Sequence, residues 1–116
     1  MATLTVQNAS VESSLDLATL AVAAASGGDQ FANEGDTMLE VINGGASACQ
    51  VTISAQTNCN QGFSHDMGTT FVNVPVGERR TLGPFTPGRF NDANGNVQIT
   101  YDQVASVTVV PFRMFK

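Results

Sequence analysis

The residue types able to do chemistry are few in this chain, and their spacing narrows them further. His65 is the only histidine, and Cys59 and Asp66 lie near it. A Cys–His or His–Asp pair is the material of a metal site or of an activated nucleophile. A structural zinc site wants four ligands at closed spacings, which this set does not supply. The plainer reading of His65 is a loop side chain with a local hydrogen bond. Asp92, Asn94 and Asn96 alternate around Gly95, like the front of a calcium loop, but the position that should carry the bidentate glutamate is Gln103. The simpler account is an Asn-Gly turn, a pair that tolerates the two positive φ values of a type I′ hairpin. Arg79, Arg80 and Arg89 are able to grip a carboxylate through two N–H groups, within the chain or across a subunit interface; solvated surface charge is the plain alternative.

No Gly-rich phosphate cradle, nucleophile elbow or pair of acid/base carboxylates is present, so the expectation is a protein that is not an enzyme. No catalytic, cofactor-binding or metal-binding residue is assigned, and no cofactor is expected. A cupin-like metalloenzyme would need several histidines. Asn8-Ala9-Ser10 fits a glycosylation sequon, which a cytosolic product would not use.

The bulk properties agree. The chain has 116 residues, one domain by length. Hydrophobic residues make up 42%, enough for a core, whereas charged residues are only 13%, about half the usual share. The remainder is rich in Gly, Asn, Thr, Val and Ala, the composition of a β-protein whose surface is partly covered by neighbours. The net charge of −5 argues against a nucleic-acid partner, because phosphate binding needs a basic stripe. No apolar run approaches the length that spans a bilayer, so no membrane partner is expected. Leu15 to Ala25 has Glu12 and Asp16 where a signal peptide carries positive charge, so synthesis in the cytoplasm is expected. Cys49 and Cys59 are then expected as free thiols, pairing only in an oxidising environment.

The elements that must position these residues read as strands. Cys49, Val51, Ile53 and Ala55 share one face of a run whose other face is Gln50, Thr52, Ser54 and Gln56, the clearest period of two in the chain. Thr37 to Ile42 is almost continuously apolar, as a central strand would be. Thr70, Val72 and Val74 alternate, then Pro75-Gly77, Gly83-Pro84, Pro87-Gly88 and Asn94-Gly95 punctuate further extended segments. Val107 to Phe115 is the last strand, and Pro111 suggests an edge position or a bulge. This pattern predicts an all-β fold: an antiparallel β-sandwich of about 6–8 strands. The predicted core is Leu39, Val41, Val51, Ile53, Val72, Val74, Leu82, Phe85, Val97, Ile99, Tyr101, Val107 and Val109.

Residues 1–30 lack that regularity, and the domain is placed at residues 31–116. Leu4 and Val6 alternate with polar neighbours. Leu17, Leu20 and Ala21 have helical spacing over about one turn, with Asp16 as a cap. Two readings stand side by side. The leading segment is an extended N-terminal arm that packs its apolar side chains on another protein, or it is an edge strand on its own domain.

The combination of GGDQFAN (27–33), LEVINGG (39–45), TNCNQGFSHD (57–66), VPVGERRTLGPF (74–85), GRFNDANGNVQITY (88–101) and VASVTVVPF (104–112) resembles a family of small tailed-bacteriophage virion structural proteins of the head decoration, or cement, type. The resemblance covers about residues 27–112. It implies a jelly-roll-like sandwich on the outside of the capsid, often a homotrimer, with the major capsid protein and its own copies as partners. It places the protein on the virion, after synthesis in the host cytoplasm. On that reading the contact residues are Leu4, Val6, Leu15, Leu17, Leu20 and Val22 of the arm, with Phe63 and His65 of the polar loop 58–68. A tail or fibre module that binds a host glycan is the alternative. It is disfavoured by the absence of Trp and by a single Tyr, although Phe63 and Phe90 are loop aromatics.

Overall fold

The computed structural model describes residues 2–9, 17–54, 69–85 and 87–114. The fold is mostly β, built on two five-stranded mixed sheets. In chain order the elements are β1 (Ala2–Thr3), β2 (Gln7–Ala9), the single helical turn α1 (Leu17–Leu20), β3 (Val22–Ala23), β4 (Asp29–Ala32), β5 (Thr37–Asn43), β6 (Cys49–Ser54), β7 (Thr69–Val74), β8 (Arg79–Leu82), a second helical turn α2 (Pro87–Phe90), β9 (Asn96–Tyr101) and β10 (Val107–Met114). The first sheet runs β1-β4-β9-β6-β7. The second runs β2-β10-β5-β8, with β3 also on β10.

Seven strands, β4 to β10, form the body, and every pairing among them is antiparallel. Alternation explains their placement, because successive side chains of a strand point to opposite faces. Phe31, Val51, Ile53, Val97 and Ile99 of the first sheet meet Leu39, Val41, Leu82, Val107 and Val109 of the second in one buried cluster. This two-sheet core is compatible with a β-sandwich. All thirteen expected core positions belong to it, Val72 and Tyr101 as partly buried flanks. Leu4, Ala24, Phe31 and Cys49 join them.

The β5–β10 ladder is the longest, with paired residues from Val107↔Asn43 to Arg113↔Thr37. Both are interior strands, as the apolar run from Thr37 anticipated for β5. Pro111 therefore does not mark an edge strand. It falls in a gap on the far side of β10, where β3 pairs at Thr108 and Val109 and β2 begins only at Phe112. A residue without an N–H is tolerated where no neighbour needs it.

The leading segment is the main departure from a purely antiparallel design. β1 lies parallel to β4 and β2 lies parallel to β10. Leu4 N–H donates to Gln30 O at 2.8 Å, and Ala24 N–H to Val107 O at 3.0 Å. Its described residues thus take the second of the two forms weighed above, as short edge strands on the chain's own sheets. The one helical turn expected near Leu17 is present as α1. The turn α2 starts at Pro87, whose fixed φ suits a first helical position.

Buried asparagines tie the turns to the sheets. Asn43 is 1% exposed. Its Nδ2 donates to Val74 O and Ser47 O, and its Oδ1 accepts from Gly45 N–H. The chain approaches itself so closely here that a Cβ on Gly45 would lie 2.4 Å from Ala105 O. Asn33 does the same at the other end, donating to Phe85 O and Asn91 Oδ1.

Candidate interaction surface

The leading strands and β10 enclose a groove of about 140 Å³, lined by Thr3, Leu4, Thr5, Gln7, Leu20, Val22, Val109, Val110 and Pro111. The sequence brings these residues together by two routes. Val107 and Val109 alternate inward along β10, which leaves Val110 on the other face, and Val110 is nevertheless only 1% exposed. The segment around α1 then carries Leu20 to the same place, and Val22 follows on β3 opposite Val109.

Three of the expected contact residues, Leu4, Leu20 and Val22, meet at this groove. Their exposures differ in a way that matters. Leu4 is buried in the core cluster, so it holds its own domain rather than presenting an outward grip. Val6 packs against that cluster as a partly buried side chain. Leu20 is half-buried. Val22 is 49% exposed, a large apolar side chain facing solvent. The backbone of Leu17 lies in α1. Leu15, Phe63 and His65 lie outside the described residues, as does the whole polar loop at 58–68.

The three arginines have separate fates. Arg79 pairs with Glu40 at 2.5 Å, and Thr81 Oγ1 donates to the other oxygen of the same carboxylate. Glu40 is only 4% exposed, so Arg79 and Thr81 together satisfy a carboxylate taken out of water. Arg80 forms an exposed pair with Glu78, and Arg89 sits 5.0 Å over the Phe90 ring. Arg79 and Arg80 lie on the edge strand β8, where charge discourages unwanted strand addition.

The Asp92 loop is a turn, though not of type I′, since Gly95 takes a positive φ and Asn94 does not. Asp92 Oδ1 accepts from Asn94 N–H and Asn96 N–H, and Oδ2 accepts from the Gln98 amide. Those bonds, that from Gln98 foremost, hold the Asp92 carboxyl below its ordinary value. Both carboxylate oxygens thus accept from donors of the turn and the strand it opens. Among the described residues no group of three or more His, Cys, Asp or Glu gathers in metal-binding geometry.

A buried carboxylate escaped the sequence reading. Asp29 is fully buried at the start of β4. Its Oδ2 accepts from Tyr101 Oη at 2.7 Å and from Ala25 N–H at 3.2 Å. Burial, and then the bond to Asp29, push the Tyr101 phenol above its usual range. Cys49 is buried beside it, and its Sγ donates to Gln103 O at 3.3 Å. Burial and the nearby Asp102 raise its thiol, against the opposing bond to Gln103, which describes an inert packing residue rather than a nucleophile. The only sequence signal for the Asp29 site is the Gly27-Gly28 pair that precedes it; the partner Tyr101 is 72 residues away.

Among the described residues no helix is long and apolar enough to cross a membrane. No protein-family model matches this chain, and neither a curated protein nor a solved structure does.

Proposed function

We propose that this chain is a bacteriophage virion structural protein, a capsid decoration or cement protein that binds the outer surface of the head and stabilises contacts between capsomers. Its body is a jelly-roll-like sandwich, and it works as a homotrimer against the major capsid protein. The carrying observation is the contrast between a closed seven-strand body and a leading segment held at its edges by strands of two and three residues. To leave the body this segment has to withdraw Leu4 and Ala24 from the core; once free, it adds a strand to a neighbour, where main-chain hydrogen bonds supply affinity. Ordering a segment on a partner costs about 2–5 kcal/mol, which repetition around a shell offsets through avidity. The low charge and the exposed apolar Val22 beside the groove suit a surface that is covered in the particle.

The glycan-binding alternative gains no such observation. Tyr101 is spent on Asp29, and Phe90 packs edge-on against Phe85, so neither offers a flat platform to a sugar. The test uses purified shells. The full chain should co-sediment with them and raise the temperature at which they break. A chain lacking residues 2–9 should keep its β-type circular dichroism and lose that binding. Shells that ignore the full chain would end the proposal; equal binding by both chains would remove the arm from it.

A further inference from the structure

We infer that Asn94 is a site of spontaneous covalent modification, where the folded protein converts an asparagine to aspartate and isoaspartate. The chain holds two Asn-Gly pairs, Asn43-Gly44 and Asn94-Gly95. Both have the sequence that favours the reaction, since glycine puts no side chain in the way of its own nitrogen. The fold treats them in opposite ways.

At the first pair every participant is engaged. The Asn43 amide is buried and donates twice, to Val74 O and Ser47 O. Gly44 N–H, the attacking group, donates to Ser106 O at 2.9 Å, and the same oxygen would lie 3.4 Å from a Cβ on Gly44. At the second pair the Asn94 side chain is exposed, and no hydrogen bond to its amide is among those of the described residues. Gly95 has a φ of +79° and open space around it, with nothing within 4 Å of a built Cβ. Its N–H makes one bond, to Asp92 O at 3.1 Å, at the tip of a hairpin. Opening such a tip costs far less free energy than opening a turn whose asparagine is buried and bonded between two sheets.

The reaction needs only water. Gly95 N attacks Asn94 Cγ and loses its proton to solvent base. The new N–Cγ bond closes a succinimide as the Cγ–Nδ2 bond breaks, and ammonia leaves with the proton it takes up. Water then adds to one of the two ring carbonyls. Opening at one leaves an ordinary aspartate at this position; opening at the other carries the main chain through the former side chain and gives isoaspartate. Either product matters locally. A carboxylate in place of the Asn94 amide stands beside Asp92, and an extra main-chain methylene displaces the N–H groups of residues 94 and 96 that Asp92 Oδ1 receives. The turn delivers the chain into β9, which lies between β4 and β6, so the change accumulates at the entry to a central strand.

The experiment incubates the full chain at mildly alkaline pH, folded and in denaturant, and locates isoaspartate by enzymatic carboxyl methylation and peptide mapping. In the folded protein Asn94 should convert at least about tenfold faster than Asn43, the protection that local structure imposes, and in denaturant the two rates should converge. Asn94→Ser should abolish the folded-state signal. Equal rates at both sites in the folded protein, or no conversion at Asn94 while denatured chains convert, would overturn the inference.

Discussion

The two flanks of β10 are built on opposite principles. On one side β5 pairs with it along seven residues, antiparallel, with Leu39 and Val41 fully buried. On the other side two scraps of the leading segment share the edge, two residues of β3 and three of β2, the latter parallel. Parallel pairing is slightly weaker per residue, and short edge strands bury little. The lesson is that one strand can be both the centre of a permanent body and the dock of a strap. The first role is secured by side-chain burial along the whole ladder, and the second by a few main-chain bonds together with the buried Leu4 and Ala24.

The most severe way to challenge this contrast is to remove matched leucines. Leu39→Ala should cost about 2–5 kcal/mol, since a fully enclosed site collapses poorly around the void. Leu4→Ala should fall at or below about 2 kcal/mol, because an edge segment can settle into the space. Denaturant unfolding followed by circular dichroism reads both. Equal losses would make the leading segment part of the body.

Next in size are the asparagine anchors. Asn43→Ala strips the hydrogen bonds that a buried side chain makes with Val74 O, Ser47 O and Gly45 N–H. Leaving buried groups unpaired costs about 1–3 kcal/mol each, with relaxation and water entry reducing the sum. Unfolding midpoints should drop accordingly. A loss under about 0.5 kcal/mol, the size of an ordinary surface change, would mean that the turn is not the fixed end of the body.

How far the sequence foretold this contrast depends on the range of the interaction. Period two along Cys49–Ser54, the apolar run from Thr37 and the Asn94-Gly95 turn are local signals, and each lies where local chemistry puts it. The body and its core were therefore legible. Asp29 with Tyr101, Glu40 with Arg79 and Asn33 with Phe85 O join residues 72, 39 and 52 positions apart. No spacing rule reaches them. Glu40, the second residue of LEVINGG, carries no local sign of its burial, which is made tolerable by the Arg79 and Thr81 that β8 brings alongside. The leading segment was ambiguous for a related reason: strands of two or three residues are too short to show a period, so two arrangements fitted equally well.

The Asp29–Tyr101 bond ties the connection before β4 to the end of β9, and pH probes it. The folded state holds the Tyr101 proton more tightly than the unfolded chain, whose phenol titrates near 10.0. Its contribution is therefore complete below about pH 10 and is lost as the pH rises beyond that. Cys49, raised from 9.0, adds a loss in the same direction at slightly lower pH. Tyr101→Phe should cost about 1 kcal/mol at neutral pH, the worth of one hydrogen bond, and should flatten the alkaline fall in stability. An unchanged alkaline slope would assign the fall elsewhere.

The smallest expected effect on folding is also the sharpest on the contrast itself. Val22 is 49% exposed on β3 and lines the groove at the strap side of β10. Val22→Ser removes little buried surface, so stability should stay within about ±0.5 kcal/mol. The backbone pairing of β3 with Thr108 and Val109 does not depend on that side chain. If this flank is a dock, the same change should weaken binding to shells by far more than it weakens the fold, because an apolar side chain left open on the monomer is buried only in the particle. Stability and binding that fall together, or binding that does not fall at all, would mean that the strap side of β10 is simply the frayed margin of a sheet.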